Sequence, residues 1–478
     1  MSKRDRVAYF SAWLALLTPL CAIPASADVR ISSDTTENMT CSGGVCSPTA
    51  ETAVLNVADL SRLLASGDVT VNSAGSGVNA YNIVIAASLS WTSASALTLN
   101  AGQDIRIEQP ITVMGNAGLT LTYDKYNRDL YFTRTGSVQF WDASSRLTIN
   151  RIRYTLAADL PTLAREIAAR PQGHFALAKN YDASVDGTYP SSPIPRLEGV
   201  FEGLNNTISN LRISDTEGGN VGLFGSSHNL RDIGLIDANV STSVTDGSSI
   251  GALAGSNSGQ ILNAYSTGSV SAPLNGRTAT FVGGLVGHSS RIIRLSYSTA
   301  SASGPGESGG LVGKKSQGII DRSFATGAVI GQYAGGLAGF DNGPTENSFA
   351  LAAVSHSGSH TYLGGLVGQL VSSTVRTSYS AGAVEKSGNA GGFAGDYGDA
   401  AFHCYWDIDA SGHKHGTAFG EVRGVKGLTT SMMKSGLPDG FDPAIWASDP
   451  NINGGYPYLI ANPPPGQALY HKGNAREH

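Results

Sequence analysis

A glycine-rich block that returns seven times constrains this chain more than any other feature. The block reads Gly-Gly-Leu-Val-Gly with small variations, and its last glycines stand 26 to 32 residues apart. These last glycines are Gly225, Gly255, Gly287, Gly313, Gly339, Gly368 and Gly395. Self-similarity at such a period is typical of a repeat architecture, in which one unit cannot bury its own apolar face and stacking on neighbouring units does so instead.

A second mark follows each block after 10 or 11 residues, an aromatic residue within a run that resembles Ser-Tyr-Ser-Thr-Gly. The aromatic residues are Tyr265, Tyr297, Phe324, Phe349, Tyr379 and Tyr405. In the first unit we place Leu235 in the aromatic position. Because a parallel stack sets equivalent residues directly above one another, the series predicts a ladder of stacked rings, one per coil.

The residues inside each period indicate strands. The units are rich in Gly, Ser, Thr, Val, Ile and Tyr, in short apolar alternations broken by turn residues. Four residues before each aromatic the chain is mostly β-branched, as at Ile293, and the position just before it is often serine, as at Ser296. This pattern predicts that the aromatic residue faces inwards and the serine outwards.

We therefore predict an all-β chain that forms a right-handed parallel β-helix of stacked repeats of 26–32 residues. Equivalent residues should lie about 4.8 Å apart along its axis. The repeated glycines suit tight corners and close approach between coils, where a Cβ would clash.

The repeats also resemble a known family. The Gly-Gly-Leu-Val-Gly blocks and their Asn-Ser-Tyr-Ala-Thr-Gly-like partners are similar to GLUG-motif repeats, found in large bacterial surface proteins that resemble filamentous haemagglutinin. The segment from Phe201 to Leu211 leads into the repeats, and Cys404-Tyr-Trp-Asp407 closes them. The resemblance implies an adhesin-like protein of a Gram-negative bacterium. The chain lacks the Asn-Pro-Asn-Gly and Asn-Pro-Asn-Leu motifs of two-partner secretion substrates, which leaves export by that route unsupported.

The first 27 residues read as a signal peptide. Three basic residues precede an apolar stretch, and the segment ends on a small-x-small site that predicts cleavage between Ala27 and Asp28. Cys21 offers a lipoprotein alternative, but Leu20 stands before it where a small residue is expected. No other stretch is long and apolar enough for a membrane helix, so we expect an exported protein at the cell surface or in the medium, with the periplasm as an alternative.

The spacing of two cysteines is consistent with export. Cys41 and Cys46 lie close enough for a small disulfide-closed loop, which an oxidising compartment would allow. Metal binding is the rival interpretation, although no second Cys/His pair lies nearby.

We divide the chain into six segments. They are a signal peptide at 1–27, a haemagglutinin-like β-helical region at 28–150, a junction with a short helix at 151–200, the repeat β-helix at 201–410, a C-terminal capping region at 411–462 and a disordered tail at 463–478. The junction helix is predicted at Leu160–Ala169, with a proline in its first turn. The aromatic residues of the capping region are expected to cover the last open coil.

The sequence shows no recognisable catalytic chemistry. A net charge of −5 with scattered basic residues argues against nucleic-acid binding. The position three before each aromatic holds mixed charges, including Arg294, Asp321, Glu346 and Arg376, which predicts ion pairs between coils rather than a cluster of catalytic acids. Asp407-x-Asp-x-Ser-Gly412 is similar to the start of a calcium loop, but the twelfth position is alanine, and a capped turn is the alternative. We therefore expect no enzyme, cofactor or metal site.

Binding through a long repetitive face remains the expected function, largely on the family resemblance. The ligand would be a host cell, a matrix component or a glycan, with an outer-membrane secretion partner for export. A polysaccharide-active β-helix enzyme and a structural envelope spacer are the alternatives, because a solenoid fold alone does not separate them.

Overall fold

The computed structural model describes residues 27–124, 129–275, 279–358, 361–397 and 400–465. This part of the chain is 48% strand and 8% helix and forms a parallel β-solenoid of about 14 turns, which confirms the predicted fold class. The predicted signal peptide, apart from Ala27, and residues 466–478 of the predicted tail lie outside the described residues.

The first solenoid is built from three parallel sheets. The first sheet contains Asp28–Ser32, Ala53–Asn56, Asn82–Ile85, Ile105–Ile107 and Leu130–Phe132. The second contains Val45–Pro48, Val69–Asn72, Leu97–Asn100, Gly118–Thr122 and Arg146–Ile149, and the third contains Leu89–Trp91, Ile111–Val113 and Val138–Phe140. Met39–Ser42 forms a hairpin with Val45–Pro48, and Ala74–Gly75 pairs with Val78–Asn79. Alternating apolar residues point inwards along most of these strands, as the short period-two patterns predict.

A helix covers the first coil. Helix α1 (Val57–Ser66) begins after Asn56, whose side chain accepts hydrogen bonds from the N–H groups of Ala58 and Asp59. It packs on one strand of each sheet, Ala53–Asn56, Val69–Asn72 and Leu89–Trp91, and its Leu60 and Leu64 are fully buried. The helix therefore shields the apolar end of the stack from water.

The chain then reverses and starts a second solenoid. Arg146–Ile149 pairs antiparallel with Ile152–Ala157 through a tight turn, in which Asn150 and Arg151 have φ of 47° and 68°. Helix α2 (Leu160–Ala169), N-capped by Asp159, buries Leu160, Leu163 and Ile167 in a core separate from that of the first solenoid. Each solenoid thus carries its own amphipathic helix.

Three sheets also build the second solenoid. The longest contains His174–Leu177, Tyr181–Asp182, Thr188–Tyr189, Val200–Ser209, Arg212–Asp215, Asn229–Thr242, Ile261–Ser271, Ile293–Arg294, Tyr297–Ser298, Ser301–Ser303, Ile320–Asp321, Phe324–Ala325, Val329–Gly331, Thr345–Glu346, Phe349–Ala350, Val354–His356, Thr374–Arg376, Tyr379–Ser380, Ala400–Phe402, Cys404–Asp407 and Val425–Leu428. The second contains Asn220–Val221, Ser249–Gly251, Phe281–Gly283, Glu307–Gly309, Tyr333–Gly335, Tyr362–Gly364 and Asn389–Gly391. The third contains Ile194–Arg196, Phe224–Ser227, Ala254–Asn257, Val286–Ser289, Val312–Lys315, Ala338–Asp341, Val367–Leu370 and Ala394–Tyr397. A 3₁₀ turn spans Ala183–Asp186.

Each glycine block makes the corner between the second and third sheets. A Cβ on Gly287 would lie 2.3 Å from the backbone nitrogen of Ile250 in the preceding coil, and the other last glycines meet neighbouring backbone in a similar way. The apolar residues of the same block, such as Leu285 and Val286, are fully buried in the core. Close backbone approach therefore requires glycine at this corner, and the apolar part of the motif fills the interior.

The aromatic series points away from the solenoid core, so the predicted direction of the ring was wrong. The residue two positions before each aromatic has φ between 42° and 53°, and this reverses the alternation of the strand. These residues are Asn263, Leu295, Arg322, Asn347, Thr377 and His403. As a result the serine before the ring, for example Ser323, is completely buried, whereas it was predicted to face outwards.

The buried serines form a hydrogen-bonded column at this corner. The backbone N–H of Ser323 donates to Oγ of Ser348 in the next coil at 3.2 Å, and the N–H of Ser348 donates to Oγ of Ser378 at 3.1 Å. Each hydroxyl donates in turn to the carbonyl two residues earlier, as Ser323 does to Asp321 at 2.9 Å. Serine suits the position because one small group both accepts and donates, which satisfies the backbone at an irregular corner. Cys404 takes the same place in the last coil.

The rings form a ladder on the outside of the solenoid. Neighbouring rings from Tyr265 to Tyr379 stack with centroids 4.7–5.1 Å apart and planes within 4° of parallel. Tyr405 continues the backbone register, and its ring packs edge-on against Phe441. The position before Tyr265 in the ladder belongs to Gly234 rather than to the predicted Leu235, and a Cβ there would lie 2.2 Å from the Tyr265 ring.

The C-terminal strap, residues 429–465, covers this ladder. After helix α3 (Ile408–Ser411), the strap contains helix α4 (Thr430–Met433), a 3₁₀ turn (Asn453–Gly455) and a strand pair, Trp446–Ala447 with Tyr458–Leu459. Phe441, Trp446 and Leu459 join the ladder in a separate hydrophobic cluster. The strap therefore runs back along the side of the solenoid, whereas we predicted that its aromatic residues cover the last coil.

Polar contacts fix the strap along its length. The Tyr379 hydroxyl donates to the Pro457 carbonyl at 2.6 Å, and the Asn462 amide donates to the carbonyls of Ser296 and Arg322 at 3.3 and 3.0 Å. At its far end, the Arg134 guanidinium of the first solenoid donates to the Pro463 carbonyl at 2.5 Å. The strap therefore connects the last coils to the junction between the solenoids.

Candidate binding face

The outer side of the glycine corner carries a continuous row of half-buried side chains, here called the seam face. The row consists of two columns of side chains, one from the second sheet of the second solenoid and one from its third sheet. Because the strands are paired in parallel register, successive members of a column lie on neighbouring strands. The first column contains Phe281, Glu307, Tyr333, Tyr362 and Asn389. The second contains His288, Lys314, Phe340, Gln369 and Asp396.

Aromatic rings organise this face. Lys314 Nζ lies 4.5 Å from the ring centre of Phe281 and 4.9 Å from that of Phe340, so the ammonium group bridges two rings. In the next coils, Tyr333 and Tyr362 stack with centroids 5.5 Å apart and planes 8° from parallel. These contacts hold the side chains in place over several coils.

The polar groups of the face are mostly paired. Glu307 Oε1 lies 3.7 Å from Lys314 Nζ, and burial raises the pKa of the Glu307 carboxyl despite this cation. His288 Nε2 lies 2.7 Å from Ser316 Oγ, and burial together with Lys314 lowers the pKa of His288, which favours the neutral ring. Burial and the neighbouring Glu307 raise the pKa of Tyr333, so its hydroxyl keeps its proton.

A buried charged cluster joins the two solenoids, and no motif or spacing predicts it. Arg231 Nε lies 2.7 Å from Asp232 and 3.1 Å from Glu202, and its terminal nitrogen lies 3.0 Å from Asp129 of the first solenoid. The side chains of Glu202 and Asp232 are each 2% exposed. Burial, followed by Asp232, raises the pKa of Glu202 well above its usual value, and burial also raises the pKa of Asp232. One arginine therefore faces several carboxylates, and burial favours the protonated form of Glu202 and Asp232.

The column of mixed charges lies where the repeat register predicts it. Arg294 Nε lies 3.0 Å from Asp321, and Arg376 Nε lies 3.8 Å from Glu346 in the neighbouring coil. Arg376 also lies over the ring of Phe402 at 4.4 Å. The column therefore consists of ion pairs between coils along one side of the solenoid.

The calcium-like segment forms a capped turn. Asp407 is fully buried and accepts hydrogen bonds from the N–H groups of Asp409 and Ala410 at 2.9 Å and from the hydroxyls of Thr430 and Tyr456. Its carboxylate thus ties helix α3 to the strap. Across the described ranges, no group of three or more His, Cys, Asp or Glu side chains is arranged to hold a metal ion.

The cysteines are placed as follows. Cys41 and Cys46 form a disulfide across the Met39–Ser42 hairpin, where they are directly paired in register. Cys404 is buried with a free thiol, and burial raises its pKa to about 12.

Asp28, which directly follows the predicted cleavage site, is the first residue of the first strand. Within the described part of the chain, none of the helices has the length and apolar character required to cross a membrane.

Comparison with known proteins gives one finding on structure. No family model matches the chain, and no curated protein matches it. The chain is similar to a solved protein from Bacteroides ovatus that is named as a candidate immunoglobulin A1 protease. The two share 18% identity with a TM-score of 0.42, over 65% of this chain and 93% of the other.

This finding corrects our prediction that the chain is not an enzyme. Because the similar protein carries a protease name, that exclusion is withdrawn. The likeness itself is too distant to assign an activity or a catalytic residue to this chain.

Proposed function

We propose that the protein is an exported, adhesin-like surface or secreted protein that attaches to cells, matrix or glycans through the seam face. The GLUG-type repeats resemble those of haemagglutinin-like bacterial proteins, and the first 27 residues read as an export signal. The observation that carries the proposal is the seam face itself, where aromatic and polar side chains continue over successive coils without interruption.

Such a face suits attachment by many modest contacts. Tyrosine and phenylalanine provide large contact area at a small entropic cost, and their rigid stacking reduces the freedom that is lost on binding. Because the pattern continues along the axis, each further coil that engages an extended ligand adds to the affinity.

Two measurements test the proposal. Fractionation of the producing cell should place the chain in the outer-membrane or medium fraction, beginning at Asp28. Beads coated with the purified mature protein should bind host cells or matrix, and the double variant Tyr333→Ala/Tyr362→Ala should bind about tenfold fewer cells if about 1.4 kcal/mol of binding energy is lost.

Tyr81→Ala is the matched control, because Tyr81 is 42% exposed on the first solenoid, away from the seam face. Retention of the chain in the cytoplasm, or equal attachment by the seam variant and the control, would contradict the proposal.

A further inference from the structure

The seam face has no excess of positive charge. Its one lysine, Lys314, is held between two rings and lies 3.7 Å from the carboxylate of Glu307. His288 is kept neutral by burial and by that lysine, which lower its pKa. Asp396 adds a carboxylate, and Gln369 donates to it at 3.2 Å. A polyanion such as a sulfated or uronic-acid polymer would therefore meet no attractive field here.

The available groups instead match a ligand rich in hydroxyls. Tyr333, Tyr362 and Asn389 follow one another at one strand per step, and each carries a group that donates and accepts hydrogen bonds. Glu307 in the same column does not add to this set, because its Oε1 lies 3.7 Å from Lys314 Nζ and its Oε2 is buried out of reach of a ligand.

The register of the solenoid sets the shape of the ligand. Because the same positions recur at about 4.8 Å along the axis, a ligand that uses several of them must be extended and must lie parallel to the axis. A single sugar or a compact glycan would contact only one or two coils, so affinity should rise with chain length.

We infer that the seam face binds an uncharged, linear polysaccharide lying along the solenoid axis. This inference rests on the proposed function and names its ligand class. Tyr333 and Tyr362 supply the central contacts, and the amide groups of the neighbouring Asn389 and Gln369 supply further donors and acceptors.

The test uses the full mature chain with stated probes. Isothermal titration compares cellobiose, cellohexaose, maltose, maltohexaose and dextran as neutral probes with heparin and polygalacturonate as anionic probes, at low and high salt. We expect binding of at least one neutral probe that is insensitive to salt, that strengthens from the disaccharide to the hexasaccharide, and that weakens about tenfold in Tyr333→Ala/Tyr362→Ala. The control Tyr81→Ala should change this affinity less than twofold.

Several outcomes would overturn the inference. They are binding of heparin that is lost in Lys314→Gln, binding of a neutral probe that the tyrosine variant leaves unchanged, and an absence of binding to every neutral probe. If the protein binds no neutral probe but still attaches to cells, the proposed function stands and only the ligand class is rejected. If the protein binds a neutral glycan but does not attach to cells or matrix, only the proposed function is rejected.

Discussion

The contact between the strap and the ladder can be measured with a double-mutant cycle on Phe349 and Trp446. Phe349 is fully buried and stacks on Phe324 at 4.7 Å and on Tyr379 at 5.1 Å. Trp446 of the strap is 1% exposed and lies 6.1 Å from the Phe349 ring. Each ring therefore fills space that water does not reach.

The structure gives the expected magnitudes. Replacement of a buried aromatic residue by alanine costs about 3–5 kcal/mol of unfolding free energy, so Phe349→Ala and Trp446→Ala should each lose about this amount. Because the two rings touch, the double variant should lose less than the sum of the two, by about 0.5–1.5 kcal/mol for the ring pair. Urea unfolding followed by far-UV circular dichroism measures all four proteins.

Tyr265 provides the control, since it lies three coils further along the ladder, where its ring stacks on Tyr297. The pair Tyr265→Ala and Trp446→Ala should be additive within about 0.5 kcal/mol. Additivity for Phe349 and Trp446 would show that the strap does not pack on the ladder. Equal coupling for both pairs would show that the effect is not local.

Three further results are expected. Folding raises the pKa values of Glu202 and Asp232, so above the ordinary carboxyl pKa the folded state holds more protons than the unfolded state. The free energy of unfolding should therefore fall as the pH rises from about 4.5 through the raised pKa values. Urea midpoints across that range should show this slope, and Glu202→Gln should flatten it. The Cys41–Cys46 disulfide should add about 2 kcal/mol by closing a short loop, and intact mass with and without reductant, with urea unfolding of both forms, should show the bond and its effect. Cys404 should resist thiol reagents at pH 8 until the chain unfolds, because it is buried with a pKa of about 12; rapid labelling of the native protein would contradict its placement.

The repeat period and the short alternations were sufficient to predict the solenoid. The positions of helix α2 and of strands such as Val69–Asn72 also followed from local signals, since caps, prolines and period-two patterns are local properties. The charged column followed as well, because parallel register carries one repeat position directly onto the next.

The direction of the aromatic ring could not be read from alternation. A single residue with positive φ, such as Arg322 or Leu295, reverses every later side chain in the coil, and neither arginine nor leucine is a residue type that favours this conformation. The hydrogen bonds of the serine column hold it there, and these depend on contacts between coils. For the same reason Gly234, rather than Leu235, lies under Tyr265.

The seam face could have been located from the repeat register, although we did not predict it. Its two columns stand six residues before and one residue after the last glycine of each block, as Phe281 and His288 do around Gly287. The charged cluster was missed because it depends on contacts between the solenoids. Asp129 and Arg231 lie in different solenoids, so only the hairpin at Asn150 brings them together.

The strap imposes an order on folding. Coils that stack on their immediate neighbours require only short loop closures, so assembly can propagate from unit to unit once a first coil forms. The strap instead joins Asn462 to Ser296 and Pro463 to Arg134, across 166 and 329 residues of chain. Closing such loops is entropically costly and becomes favourable only when most of the ladder exists. Coils that form first would therefore carry an uncovered column of rings until the strap docks, and docking of the strap would act as a late, slow locking step.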